Sequence, residues 1–352
     1  MLIQVQKRYE YIDCMRGLTM LLVVYYHIIG QVLGMVDQSG LSNFCGGFRM
    51  PLFFFVSGFL AYTPSPNLGW LQKKMTNRLL NQFLPTLVTG GIYSLLLFGE
   101  KFISFITSPS KSGFWFTIVL FEVFCIYSLL AFFMRKASFT PRMCTITYTG
   151  IFFGAYVLRY VLAHYGCLTD SIFELFSTSR LLLHGKFFFV GVIAKMYLPQ
   201  FMKLVENKFT SAIALIMFVL IFIFLKIYPI RELLLGLSGI MMVYNLFYHY
   251  KNFFNNETKT GKVLTFVGKN TLQVYFLHYF FLHGLHNIKN LPFIDILRNN
   301  WFIEITIVTL LSMAITASCL LTDRCLRSVP IVHALMFGPQ LKNKERILPI
   351  SK

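Results

Sequence analysis

Apolar stretches long enough to cross a bilayer, about 20 residues each, follow one another along nearly the whole chain, separated by short polar connections. Ten are read at 17–36, 46–62, 79–99, 114–134, 143–163, 182–198, 210–228, 231–250, 266–287 and 301–321. They are rich in Phe, Leu and Ile with Gly and Pro interruptions, and none has the short alternation of a barrel strand. Helices are expected, because lipid accepts only helices or closed barrels. The predicted fold is therefore all-α, a polytopic membrane protein of about ten transmembrane helices. The longest polar segment lies after about residue 322 and is too short for a core of its own. Residues 1–330 read as one transmembrane domain and 331–352 as a short basic tail.

Composition agrees with this pattern. The chain is 56% hydrophobic and 13% charged, against about a quarter charged in soluble proteins. Its net charge of +18 would otherwise invite a nucleic-acid reading, but cytoplasmic loops of membrane proteins also concentrate Lys and Arg. Assigning cations to connections places 22 on the side of the N-terminal segment and six on the opposite side: Lys101, Lys111, Arg180, Arg231, Lys289 and Arg298. This asymmetry predicts an inner-membrane protein with both termini cytoplasmic. The first apolar stretch follows Lys7, Arg8 and Arg16 as in a signal peptide, yet it is long and lacks a small-residue cleavage site, so it reads as a retained helix. Seven scattered cysteines suggest neither disulfides nor zinc, and no phosphate-binding glycine loop occurs.

Ionisable residues inside spans are costly and point to function. Arg16 and His27 are eleven residues apart, which on a helix puts them on one face and about 16 Å apart along the axis. A cation at the rim and an imidazole near the midplane suit an anionic cosubstrate with its reacting end deeper in. Asp13, one turn before Arg16, is placed to hold the guanidinium. Equally, Arg16 fits the positive-inside rule and His27 a packing role. Arg49 begins the second span, as a substrate contact or as a residue snorkelling to the interface. Glu122 and His278 fall within apolar runs, either pairing across helices or serving structure. His278, His283 and His286 suggest a metal only weakly, since no acid or thiol completes a set, and no metal is expected.

The run Tyr11-Ile12-Asp13-Cys14-Met15-Arg16-Gly17-Leu18 with downstream His27 resembles the opening of the integral-membrane acyltransferase 3 family. The string Phe48-Arg49-Met50-Pro51-Leu52-Phe53-Phe54-Phe55-Val56-Ser57-Gly58-Phe59 looks like that family's second signature. Weaker echoes are Phe114-Trp115-Phe116, Phe187-Phe188-Phe189-Val190-Gly191 and Gly268-Lys269-Asn270-Thr271 before His278. The resemblance implies a ten-helix enzyme that moves an acyl group, commonly acetyl from acetyl-CoA, onto a hydroxyl of a sugar, polysaccharide or lipid-linked glycan. It makes Arg16 and His27 the essential pair and puts Arg49 where members carry His or Arg. The family's basic loop after the second span is only approximated by Lys73, Lys74 and Arg78, and the extracytoplasmic hydrolase-like domain of many relatives has no counterpart here.

The expected chemistry has His27 as general base, with Arg16, Lys73, Lys74 and Arg78 on the CoA phosphates. Arg49, Ser57, Glu122 and His278 are candidate substrate contacts. Ser57 is alternatively an acyl carrier, although a Ser-Gly pair in a helix more often serves packing. Acyl-CoA is a cosubstrate, and no permanently bound cofactor and no nucleic acid are expected. The rival class is a transporter or flippase, whose pathway would also use mid-membrane Arg, His and Glu. A silent sensor of acyl donors is a third possibility.

Overall fold

A computed structural model describes residues 9–167, 171–285, 288 and 294–339. Among these the chain is helical throughout, with no strand. Helices occur at all ten expected positions, but six are long and apolar enough to cross a membrane: Glu10–Val32, Gly40–Ala61, Trp115–Lys136, Pro141–His164, Ile230–His249 and Trp301–Leu326. A seventh is counted if Thr178–Met196 and Leu198–Glu206, bent by 96° at Tyr197, form one span. The helices Leu84–Phe98, Lys208–Phe224 and Thr271–Gly284 have 15, 17 and 14 residues. At 1.5 Å per residue they fall short of the ~30 Å hydrocarbon core.

Several outer helices present large apolar side chains outward, among them Ile146, Phe153, Ile216, Phe224, Leu310 and Leu321. A soluble protein rarely exposes so continuous an apolar surface, whereas lipid matches it.

Two crossings bring helix backbones into contact. The first helix packs against Lys259–Lys269, where a Cβ on Gly17 would strike the Leu264 carbonyl and one on Gly268 would strike the Asp13 carbonyl. Arg49–Ala61 packs against Thr178–Met196 in the same reciprocal way, Gly58 on the Phe188 carbonyl and Gly191 on the Phe55 carbonyl. Only glycine permits such approach, which is how helices gain packing energy where the hydrophobic effect is weak. Each crossing sits beside a residue of interest: Arg16 precedes Gly17, Ser57 precedes Gly58, and Lys269 follows Gly268.

Two wide helical turns lie at equally pointed places. The first helix passes into a π-turn at Ile28–Val32, directly after His27, and a second π-turn at Leu79–Phe83 directly follows Arg78. Pro85, with no N–H to give, comes just after the second. Such turns shift side chains off the regular helical face and recur at functional sites.

The expected tail begins within a short helix, Pro330–Phe337, that packs back on Leu84–Phe98 and Trp301–Leu326. His333 meets the Asp323 carboxylate at 3.1 Å there. The tail's Lys342, Lys344, Arg346 and Lys352 lie outside the described residues, as does His286.

Gly17→Ala is expected to force the first crossing apart at a cost of at least the ~1–3 kcal/mol of ordinary overpacking. Thermal unfolding in detergent should register this as a clear loss. Gly150→Ala, where an added Cβ meets nothing within 4 Å, should unfold like the unaltered protein.

Candidate active site

Two cavities share a wall at His27. One, about 940 Å³, is lined by Arg16, Ser57, Lys74, Arg78, Lys269, Thr271 and Tyr279 as well as His27. The other, about 1190 Å³, is lined by Tyr26, Arg49, Glu100, Trp115, Arg180 and His184. His27, Val23, Met50, Gly113 and Trp115 belong to both. Each cavity is about as large as cofactor and ligand pockets come.

The Arg16 cavity is a basic funnel. Arg16 and His27 both line it, as their spacing on one regular helix requires. Asp13 Oδ1 lies 3.6 Å from Arg16 Nη1, and Arg16 Nη2 donates to the Thr271 hydroxyl at 2.9 Å. The guanidinium is thus held from its own helix and from the start of Thr271–Gly284. Arg78 donates to Gln82 Oε1 at 2.6 Å and lies over the Phe124 ring, while Gln82 in turn donates to the Thr117 carbonyl at 2.7 Å. Arg16 and Arg78 lie within each other's electrostatic reach. Partial burial, together with Arg78 and Lys73, holds the Lys74 ammonium below the usual lysine pKa. Cations gathered this closely repel one another until a polyanion arrives.

His27 is oriented by a tyrosine and a glycine. The Tyr279 hydroxyl donates to the Gly113 carbonyl at 2.9 Å and lies 3.1 Å from His27 Nε2. With its single proton committed to Gly113, Tyr279 can only accept from His27, so Nε2 carries the imidazole proton. Nδ1 is left as the acceptor, 3.4 Å from the Gln31 amide nitrogen. Tyr275 donates to the same Gly113 carbonyl at 3.0 Å. Gly113 has φ of 100°, and a Cβ there would meet the Tyr279 ring and hydroxyl, so the position requires glycine.

The remaining candidates from the sequence are distributed unevenly. Lys74, Arg78 and Ser57 line the Arg16 cavity; Lys73 is exposed and lines neither. Arg49 is 7% exposed, lies 4.1 Å from the Tyr26 ring centroid and lines the second cavity. His278 is fully buried behind His27, with ring centroids 5.3 Å apart, and Nδ1 donates to the Val274 carbonyl at 3.0 Å. It lines neither cavity. Glu122 also lines neither, and no hydrogen bond or ion pair joins it to His278. Among the described residues no group of His, Cys, Asp and Glu is arranged to hold a metal.

Sequence reasoning missed Tyr279, Gly113, Lys269, Arg180 and His184 as site residues. Two signals were present: Tyr275 with Tyr279, and Arg180 with His184, are each four apart and therefore on one helical face.

The family model of an acyltransferase domain matches residues 9–321. The chain belongs to the acyltransferase 3 family. No curated protein and no solved structure matches it. Membership makes it a membrane acyltransferase and does not favour the transporter alternative. The signature residues of this acyltransferase 3 member converge in space: Arg16, His27, Ser57 and Thr271 line the first cavity, where Tyr279 joins them, and Arg49 lines the second, which shares His27.

Tyr279→Phe removes the hydrogen bond that fixes the His27 ring while leaving its packing. A lost bond of about 1–1.5 kcal/mol lowers acyl transfer roughly five- to tenfold, seen in turnover with the donor's KM little changed.

Proposed function

We propose that this acyltransferase moves an acyl group, acetyl foremost, from acyl-CoA to a hydroxyl of a sugar, polysaccharide or lipid-linked glycan. The observation that carries the reading is that His27 stands in the wall common to two cavities, one of them ringed by cations. Donor and acceptor then approach from opposite ends and meet at one imidazole.

Orientation follows from charge. Arg16, Lys74, Arg78 and Lys269, all lining the first cavity, are all among the 22 cations assigned to the cytoplasmic side. Arg180, which lines the second, is among the six on the opposite side, and so is the connection that supplies Ser108, Ser110 and Ser112. This supports an inner-membrane protein with cytoplasmic termini, ten membrane-inserted helices, several of them short, and a cytoplasmic mouth for CoA.

In the proposed reaction the CoA phosphates rest among Arg16, Lys74, Arg78 and Lys269, where guanidinium forks suit phosphate oxygens. The thioester reaches inward to His27. The acceptor hydroxyl enters from the second cavity and gives its proton to His27 Nδ1 as its oxygen attacks the thioester carbon. The carbon–sulfur bond breaks, and the CoA thiolate takes the proton back from the imidazolium. Tyr279 steadies the ring throughout by accepting from Nε2–H. Ser57 lines the donor cavity beside the Gly58 crossing, and direct transfer needs no acyl-enzyme there.

Membranes containing the protein should pass label from radiolabelled acetyl-CoA to glycan. His27→Ala should abolish transfer while the protein's amount in the membrane holds; activity retained by that variant would refute the base assignment. Lys74→Ala combined with Lys269→Ala should raise the donor's KM about tenfold or more, and most at low salt, because these are phosphate contacts screened by ions. Mass spectrometry of surface glycans from cells with and without the gene should reveal the lost acyl mass increment and with it the acceptor.

A further inference from the structure

We infer that the second cavity is built for an acceptor bearing an oxyanion, a carboxylate or a phosphate, close to the hydroxyl that is acylated. This rests on the acyltransferase reading above and names the class of acceptor it takes.

The cavity holds two guanidinium groups whose donors are largely unused. Arg49 makes one long hydrogen bond, 3.5 Å to the Leu22 carbonyl, and otherwise lies against the Tyr26 ring. Arg180 lies over the Trp115 ring at 4.7 Å, and its Nη1 is buried without a hydrogen-bond partner. One turn further along the same helix, the His184 ring is stacked between Phe54 and Trp115, and its Nδ1 is also buried and unpartnered. Among the described residues no ion pair joins Arg49 or Arg180 to a carboxylate.

A buried donor left without an acceptor costs about 1–3 kcal/mol, more when it is charged. Elsewhere in the apolar part of the chain two cations share a carboxylate: Lys186 and Arg159 both reach Glu232, at 3.3 and 3.6 Å. Arg49 and Arg180 have no such carboxylate, and both line the cavity that ends at His27. Both also lie within electrostatic reach of Tyr26, Tyr279 and His184, so the two charges act on one region.

Glu100 is the cavity's carboxylate, and it does not neutralise them. Its Oε2 is engaged by the hydroxyls of Ser94 and Ser112. The balance beside His27 is therefore positive. A carboxylate or phosphate would accept two parallel N–H bonds from a guanidinium, and each guanidinium is backed by an aromatic ring, Arg49 by Tyr26 and Arg180 by Trp115.

The test is a binding titration of the purified full-length protein in nanodiscs, saturated first with CoA so that phosphate contacts in the donor cavity are filled. Absence of CoA binding to the unaltered protein overturns the acyltransferase reading and this inference with it. With CoA bound, two probe pairs are compared: a glucuronate-terminated tetrasaccharide against neutral chitotetraose, and glucose 6-phosphate against glucose. At least one charged probe should bind fivefold or more tighter than its neutral counterpart, and which one does so separates carboxylate from phosphate. Arg180→Gln should reduce that preference below twofold while CoA binding reports an intact fold. Should the glutamine variant lose CoA binding, Arg180→Lys, which keeps the charge but not the fork, must still weaken the charged probe. A preference under fivefold for both pairs, or one that survives the substitution at Arg180, overturns the oxyanion assignment and leaves the acyltransferase reading standing.

Discussion

Contact between helix backbones at glycine sets the positions of everything else. Gly17 against Leu264, and Gly268 against Asp13, lock the first helix to the Lys259–Lys269 helix at a separation that any side chain would prevent. That lock brings Arg16 and Lys269 to one rim and sets the start of the next helix, Thr271, within 2.9 Å of Arg16. The crossing at Gly58 and Gly191 does the same for the second signature, drawing the helix of Arg49 and Ser57 onto the helix of Arg180 and His184. The family's signatures therefore combine a chemical residue with the glycine beside it. The glycine fixes where the chemistry happens, and a membrane protein, lacking strong hydrophobic attraction between its helices, depends on such contacts for precision.

Much of the arrangement was legible in the chain. Apolar periodicity located a helix at every expected position, and the eleven-residue step from Arg16 to His27 placed both in one cavity, since only a regular helix lies between them. Asp13 holds Arg16 as its place one turn earlier predicts. Less legible were features set by contacts between distant segments. Tyr279 is unremarkable among 18 tyrosines, and it matters because Gly113, 166 residues earlier, presents a carbonyl to its hydroxyl. His278 is more conspicuous by residue type, yet the helix turns it behind its neighbour, where it supports the ring of His27. The shortness of three helices was hidden as well. Composition marks apolar stretches, but π-turns, the break at Asn270 and the bend at Tyr197 decide how much of each is one straight helix.

Three groups of cations among the described residues differ in their surroundings. Those of the Arg16 cavity are crowded together, with Arg16 and Arg78 within reach of each other and Lys74 beside them. Lys186 and Arg159 are paired with Glu232, which links the helices Thr178–Met196, Pro141–His164 and Tyr228–His249. Arg49 and Arg180 rest on aromatic rings with nitrogen donors to spare. Charge excess and charge pairing thus vary separately along the chain, and cations line both cavities that meet at His27.

The proposed reaction requires donor and acceptor to meet at His27. A structure of the protein by electron cryo-microscopy with a non-hydrolysable acetyl-CoA analogue tests this most directly. The analogue's phosphates are expected among Arg16, Lys74, Arg78 and Lys269, with its carbonyl carbon facing His27 on the side of the second cavity. Phosphates seated on Arg49 and Arg180 instead, or a carbonyl remote from His27, would contradict it.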